Sequence, residues 1–573
     1  MRRSLAILAL YLLLATVCTY PLAFNLATQA PAGEAWTYDG FSMLWNLWWF
    51  KHALLDLQAN PFVTHSLFAP LGVSLYLHSY TVFSDLVALP LLAWLNPAAA
   101  SNLILIGSLA LCGYGMYLAA KFQLSGGAAT PARGMQAGEI APDAKAASQP
   151  ARIPLEGAAF VAGIVYAFTT SRFVFLAEGH YNFFTTEWLP FYLLYLLKAL
   201  QRPSRRTIGL AALFLALALL VELSLGVMLV LLTGLYWVFS HGDWRRRASQ
   251  LAVIAAVGAV AVVLLSPYLI PTARESFDPR YIPQYWGGAP MLSADVVGMF
   301  TPSSLNTFLG THDWPREWLQ VLQDKGRFVG LNAFVIGFGV LGMALLGAAV
   351  ERRARIWLWL ALVLVVLSWG PVLHINGQSV FDLDGMKVIV GLPYIILHYV
   401  PLLNDLRAPH RFSVVALMAL AMLAGCGTAW VLARAQMPAL ANRRAARVVS
   451  GVLIAAVCGI VGFEHVNLPL PLADTTVPAI YQRIGQEPGD FTIMDIPLGW
   501  RSGFGPVGTE NTRLQYFQTV HGKPLISGFA ARTPSFIFDY FQREPILGAI
   551  AQLESEGRLP AGEALRSVVR AGR

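Results

Sequence analysis

Clusters of arginine and lysine recur along this chain, and almost nothing but apolar sequence lies between them. The clusters are Arg2-Arg3, Lys121 to Arg152, Arg202 to Arg206, Arg245 to Arg247, Arg352 to Arg355 and Arg434 to Arg447. Short basic loops of this kind mark the cytoplasmic side of a membrane. Each span between two clusters therefore crosses an even number of times. The chain is 56% hydrophobic and 13% charged, about half the usual charge of a soluble protein. The expected class is an all-α polytopic membrane protein. The first apolar run, Ser4 to Leu26, follows Arg2-Arg3; it is too long for a signal peptide and lacks a clear cleavage site, so it reads as the first span.

Parity settles two ambiguous stretches. Ile208 to Ser240 would be about 48 Å long as one helix, against a hydrocarbon core of about 30 Å, and it would put Arg206 and Arg245 on opposite sides. Two short helices turning near Glu222-Leu223-Ser224 satisfy both constraints. Tyr80 to Leu95, counted as a span, would move the Lys121–Arg152 loop outside, so it reads as an interfacial or re-entrant helix. Other spans fall near 102–120, 157–176, 184–201, 249–270, 330–350, 356–372, 412–434 and 447–464. The result is about eleven crossings, with the N-terminus inside and the C-terminus outside.

Residues 1–464 then form the transmembrane module. Its outer segments 28–78, 271–329 and 373–411 are rich in Trp, Tyr and Pro, and segment 125–155 has the composition of a disordered cytoplasmic loop. Residues 465–573 read as a small extracytoplasmic α/β domain without a closing strand, with a strand at Phe491–Leu498 and a helix at Thr476–Ile484. Cys18, Cys112, Cys426 and Cys458 sit in apolar runs without metal or disulfide spacing. The net charge of +8 resides in the short basic loops and is a topology signal, not a nucleic-acid footprint. No P-loop, dinucleotide fingerprint, zinc motif or nucleophile elbow is visible, so cytosolic nucleotide chemistry has no home here.

The candidate chemistry lies in the outer segments, because charge held at membrane depth is usually paired or functional. Asp39 stands just before a tryptophan-rich segment. Trp45, Trp48 and Trp49 share one face if that segment is helical, which suits an interfacial anchor that holds Asp39 at the membrane surface beside whatever binds there. Asp39 can serve as a helix cap, a general base or a metal ligand. Glu178, His180 and Asn182 occupy the third-to-fourth span turn, where Gly179 permits a tight bend; they face a ligand or cap helix ends. Arg407, His410 and Arg411 run against the positive-inside bias. Arginine forks match phosphate at the headgroup level; lipid headgroups or a salt bridge to Asp405 are the alternatives. Arg172 is a further candidate phosphate contact. Glu222, His65, His78, His374 and Lys387 read as structural or solvated.

This order of features resembles the GT-C class of integral-membrane glycosyltransferases, over roughly residues 5–530. The acid in the first outer loop, two interfacial helices near 43–58 and 80–95, Ala177-Glu-Gly-His-Tyr-Asn182 followed by Glu187-Trp-Leu-Pro190, and Leu402-Leu-Asn-Asp-Leu-Arg-Ala-Pro-His-Arg-Phe412 carry the resemblance. It implies a GT-C-like fold in a bacterial inner membrane and transfer of a sugar from a polyprenyl-phosphate donor to an extracytoplasmic glycan, lipid or protein, with inversion. It further implies that Asp39 is the base, that Glu178 and His180 orient sugar or acceptor, that Arg407 and Arg411, with His410, hold phosphate, and that Trp45, Trp48 and Trp49 form a wall for lipid or sugar rings. Many members carry paired acids that could bind a divalent cation. Here Gly40 follows Asp39 and Glu34 lies five residues earlier, which favours a single base without metal. A transporter or flippase of a lipid-linked substrate and a non-catalytic envelope scaffold are the competing readings. The first needs polar residues at the bilayer midplane and repeated halves, and neither is evident.

Overall fold

The computed structural model describes residues 2–32, 37–126, 152–281, 288–324, 332, 334–400, 403, 406–435, 443–503 and 505–557. The segment expected to be disordered, 125–155, falls almost wholly outside them, as do Glu34 and Asp405. The chain is mostly helical. Among the described residues, five helices are long and apolar enough to cross a membrane: Pro97–Leu124, Leu155–Ala177, Trp244–Ser276, Pro409–Ala435 and Arg444–His465. Shorter apolar helices include Arg2–Cys18, Trp188–Gln201, Arg205–Val221, Leu223–Phe239, Phe338–Val350 and Arg355–Ser368.

The Ser413–Ala435 helix is the central post. From Ser413 to Thr428 it is buried on every face, as expected for an apolar helix ringed by others. Its small residues let neighbours approach to backbone distance. A Cβ on Gly427 would lie 2.2 Å from the carbonyl of Met343, and one on Gly347 would lie 2.1 Å from that of Leu423. The Phe338–Val350 helix therefore packs directly on this post. Gly425 does the same toward Ala162 of the Arg152–Ala167 helix.

The apolar run from Ile208 to Ser240 breaks at Glu222, which is extended at φ −161°, ψ 123°. The 17-residue helices on either side, Arg205–Val221 and Leu223–Phe239, are each about 25 Å long. Gly226 packs against Leu219 across the break. Tyr80–Leu95 contains a helix of only 10 residues, Val82–Leu91, or about 15 Å, too short to cross.

The C-terminal segment is not laid out as the sequence suggested. Phe491–Leu498 forms a single bridge, Ile493 to Leu525, in place of a strand. Pro497 has no N–H for a ladder, and Phe491, Met494 and Ile496 are exposed. Pairing begins instead at Gly499–Ser502, antiparallel to Gly505–Gly508 and parallel to Gly528–Phe529. The helix expected at Thr476–Ile484 spans Ala479–Gln486.

This segment also shares its core with the first outer loop. Gln29–Pro31 pairs antiparallel with Leu472–Asp474. Leu525 N donates to Ser66 O at 2.9 Å, and Ala69 N to Leu525 O at 2.9 Å. One apolar cluster joins Trp45, Trp49 and Phe68 to Leu498, Trp500 and Phe541. The described part of the C-terminal segment is thereby fastened over the first outer loop.

Candidate active site

Asp39 lies in the first turn of the Thr37–Lys51 helix. The Glu178–His180 turn joins the Thr170–Ala177 helix to the short Tyr181–Phe184 helix. Gly179 makes their meeting possible. Its φ is +74°, and a Cβ there would sit 2.3 Å from Gly40 N, so only glycine lets the two backbones abut. Tyr181 Oη anchors the turn by donating to Pro31 O at 2.8 Å.

Backbone contact brings the side chains into register. His180 Nε2 is 3.0 Å from Asp39 Oδ2, and His180 Nδ1 is 3.3 Å from Glu178 Oε2. The imidazole is held between two carboxylates. Burial opposes charge on its ring, but the hydrogen bonds to Asp39 and Glu178 and the charges of both outweigh it, lifting His180 to about 9. Burial likewise pushes the Asp39 carboxyl up. The His180 hydrogen bond and charge, with Arg501 and Arg411, overcome that and hold it at about 2. At neutral pH the pair is an aspartate and an imidazolium.

Cations surround this pair. Arg501 Nη2 is 3.7 Å from Asp39 Oδ1, and its guanidinium lies 5.0 Å from the Phe529 ring centre. Arg407 donates to Gly503 O. Arg411 is stacked 4.0 Å over Phe183, and its Nε is buried without a hydrogen-bond partner among the described residues. Glu222, at the helix break, accepts from Asn182 Nδ2 at 2.6 Å and from Ser224 Oγ at 3.1 Å. Asn182 thus ties the turn to the break. His410 Nδ1 is spent on Leu292 O at 2.6 Å, and its ring stacks on Phe175. It positions the Arg407–Arg411 segment.

Four expected site residues lie elsewhere. Arg172 is buried behind the turn, where Nε and Nη1 donate to the carbonyls of Tyr166 and Phe184 at 2.9 and 3.0 Å. Its fork is used to hold backbone. Trp45 and Trp49 are 0% and 3% exposed and stack in parallel at 5.7 Å. Trp45 Nε1 donates to Gln518 Oε1 at 2.7 Å, and Trp49 Nε1 to Pro61 O at 2.9 Å. These rings build the outer core and leave no wall for lipid or sugar. Trp48, half-buried, stacks on His52 at 4.8 Å. The expected shared face exists, but protein covers it.

Sequence reasoning missed two groups. Arg501 and Glu510 come from the C-terminal segment, and nothing local to them signals a site more than 460 residues from Asp39. Both oxygens of Glu510 are buried without a hydrogen-bond partner among the described residues. His78 accepts from Ala531 N at 2.9 Å through Nδ1 and meets Asn46 Oδ1 at 3.2 Å through Nε2. Burial keeps it neutral at neutral pH, pushed down to about 4 despite the nearby Asp39 charge. It clips the C-terminal segment to the first loop. Among the described residues no group of three His, Cys, Asp or Glu is placed to hold a metal ion.

No family model and no curated protein matches the chain. Among solved structures it is similar to a variant of the arabinofuranosyltransferase AftD from Mycobacteria, at 15% identity and a TM-score of 0.47, covering 91% of this chain and 33% of that one. It is also similar to the oligosaccharyltransferase of Archaeoglobus fulgidus in its apo form, at 11% identity and a TM-score of 0.44, covering 92% and 64%. A third is AglB of the same organism in complex with an inhibitory peptide and a dolichol-phosphate, at 12% and 0.39, covering 97% and 71%. The chain thus spans about a third of the first protein's length and just under two thirds of the second's.

Proposed function

We propose that this protein is a membrane glycosyltransferase that takes a sugar from polyprenyl phosphate and passes it to an extracytoplasmic hydroxyl with inversion. The observation that carries this reading is convergence. Asp39, the Glu178–His180 turn, Arg407, Arg411 and Arg501 come from four distant stretches, yet the charges of His180, Arg501 and Arg411 all act on Asp39, and that of Asp39 acts on Arg407. The arrangement supplies what such a transfer needs: an ionised carboxylate beside cations that suit a phosphate.

In this mechanism the acceptor oxygen attacks the anomeric carbon on the face opposite the phosphate. The bond from that carbon to the phosphate oxygen breaks, and polyprenyl phosphate leaves with the bonding pair. Arg407 and Arg411 stabilise the charge it gains. The acceptor proton passes to Asp39. His180 keeps Asp39 ionised and aimed, and Glu178 keeps His180 charged. A carboxylate held near 2 is a weak base, but the acceptor proton becomes acidic as its oxygen bonds to carbon, so positioning counts for more than basicity. His410 and Asn182 orient these groups. In this reading the chain crosses a bacterial inner membrane about eleven times, with the site on the outer face and the C-terminus outside.

The test is transfer from a radiolabelled polyprenyl-phosphate sugar by purified wild-type and Asp39→Asn protein, with the anomeric configuration of the product read by NMR. Transfer with inversion by the wild type and its loss in Asp39→Asn support the reading. Equal transfer by both removes Asp39 from the mechanism, and retention refutes the single displacement.

A further inference from the structure

Glu510 is 8% exposed, and neither carboxylate oxygen has a hydrogen-bond partner among the described residues. A buried polar group left in that state is rare and costly, and where one persists it calls for an explanation. It does not stand alone. Gln515, one turn into the Thr512–His521 helix, is 2% exposed. Its Oε1 accepts from Phe529 N at 2.9 Å, while its Nε2 has no partner among the described residues. Phe529 also carries the Arg501 guanidinium, and Arg501 reaches Asp39. The charges of Arg501 and Asp39 both act on Glu510. The same helix packs on the Asp39 helix through Tyr516 against Phe41, with ring centres 5.5 Å apart.

These groups offer a specific set of partners. The Gln515 amide donates. Burial, partly offset by Arg501, raises the Glu510 carboxyl to about 8, so at neutral pH it is largely protonated and can both donate and accept. Neutral donors and acceptors suit ligand hydroxyls; a phosphate would be drawn to the arginines.

Resting on the glycosyltransferase reading, we propose that Glu510 and Gln515 form a sugar-hydroxyl subsite beside Asp39, contributed by the C-terminal segment. The sugar ring comes either from the lipid-linked donor or from the acceptor. The subsite explains why that segment is fastened across the first loop: it completes the carbohydrate side of the site, whereas Arg407 and Arg411 serve the phosphate side.

The test uses the full chain in nanodiscs, as wild type, Glu510→Leu and Glu510→Gln. The probes are farnesyl phosphate, a panel of farnesyl-phosphate-linked hexoses and pentoses, and a panel of methyl glycosides. The quantity read is the affinity gained by adding the sugar. In Glu510→Leu that gain falls at least about tenfold, the loss of one to two good hydrogen bonds, and Glu510→Gln restores a large part of it. Thermal melting of Glu510→Leu stays at or above wild type, because an unpartnered polar group has been replaced by an apolar one of similar size. A fall confined to the lipid-linked panel assigns the donor sugar, and one confined to the methyl glycosides assigns the acceptor. The proposal is overturned if the gain is unchanged in Glu510→Leu, or if no sugar-bearing probe binds wild type better than its sugar-free counterpart. Normal transfer by wild type with an unchanged gain sinks the subsite and spares the glycosyltransferase reading. A reduced gain with no transfer by the wild type spares the subsite and sinks the glycosyltransferase reading.

Discussion

Replacing His180 with glutamine tests the electrostatic arrangement at the site. Asp39 is held at about 2 against a usual 3.8. At about 1.4 kcal/mol per pH unit, its surroundings favour the ionised form by roughly 2 kcal/mol. Burial works against that preference, and the largest favourable contributions are the His180 hydrogen bond at 3.0 Å and its charge. Glutamine keeps a hydrogen-bond donor but removes the charge. What remains is burial, which raises the carboxyl, against Arg501 at 3.7 Å and the more distant Arg411. The Asp39 carboxyl therefore moves up by about two pH units or more. The assay is the pH dependence of kcat/KM for transfer from a polyprenyl-phosphate sugar between pH 4 and 9. The wild type shows no loss of activity from Asp39 protonation in that range, because the carboxyl titrates below it. His180→Gln gains an acid limb inside the window. A profile with no acid limb, at wild-type kcat/KM, would refute the reasoning.

Three further outcomes follow from the same geometry. His180 is raised from 6.5 to about 9, so its share of stability is complete below pH 6.5 and is lost as pH rises through 9; Asp39 contributes fully above 3.8 and loses its share as pH falls through 2. The His180 shift comes from Asp39 and Glu178 together and amounts to a few kcal/mol, so wild-type melting temperature falls between pH 6.5 and 9.5, and a His180→Gln curve of the same slope would count against the cluster. Arg411→Ala weakens binding of farnesyl phosphate about ten- to a hundredfold, as expected for losing a charge-assisted contact, and Arg411→Lys recovers only part because it cannot stack on Phe183 as a plane; wild-type affinity in Arg411→Ala removes it from the clamp. Gly179→Ala costs ~1–2 kcal/mol in backbone strain alone and drives a Cβ to within 2.3 Å of Gly40 N. It lowers kcat/KM more than melting temperature, and an active, fully stable variant would show that the close approach is dispensable.

The parts legible in the sequence were those governed by short-range rules. Arginine clusters and span length located the break at Glu222 and excluded Tyr80–Leu95 as a crossing, because hydrophobic thickness leaves little freedom. Asp39, Glu178, His180, Arg407 and Arg411 were visible as charges at span ends. What could not be read was which charges find internal partners. Arg172 and Arg411 look alike in sequence, both arginines at outer span ends, but the first spends its fork on the carbonyls of Tyr166 and Phe184. The tryptophan face was real, but what covers it comes from Gln518 and Trp500, far along the chain. Arg501 and Glu510 had no local signal: a strand of four residues and a loop acid become site residues only because tertiary pairing folds them back over Asp39.

The most direct test of the central claim is a structure of the protein with farnesyl phosphate. The account places the phosphate within hydrogen-bond distance of the Arg411 guanidinium and beside Arg407, with the Asp39–His180 pair facing the position of the departing sugar. Phosphate bound away from both arginines, with the cluster around Asp39 left to protein contacts alone, would contradict it.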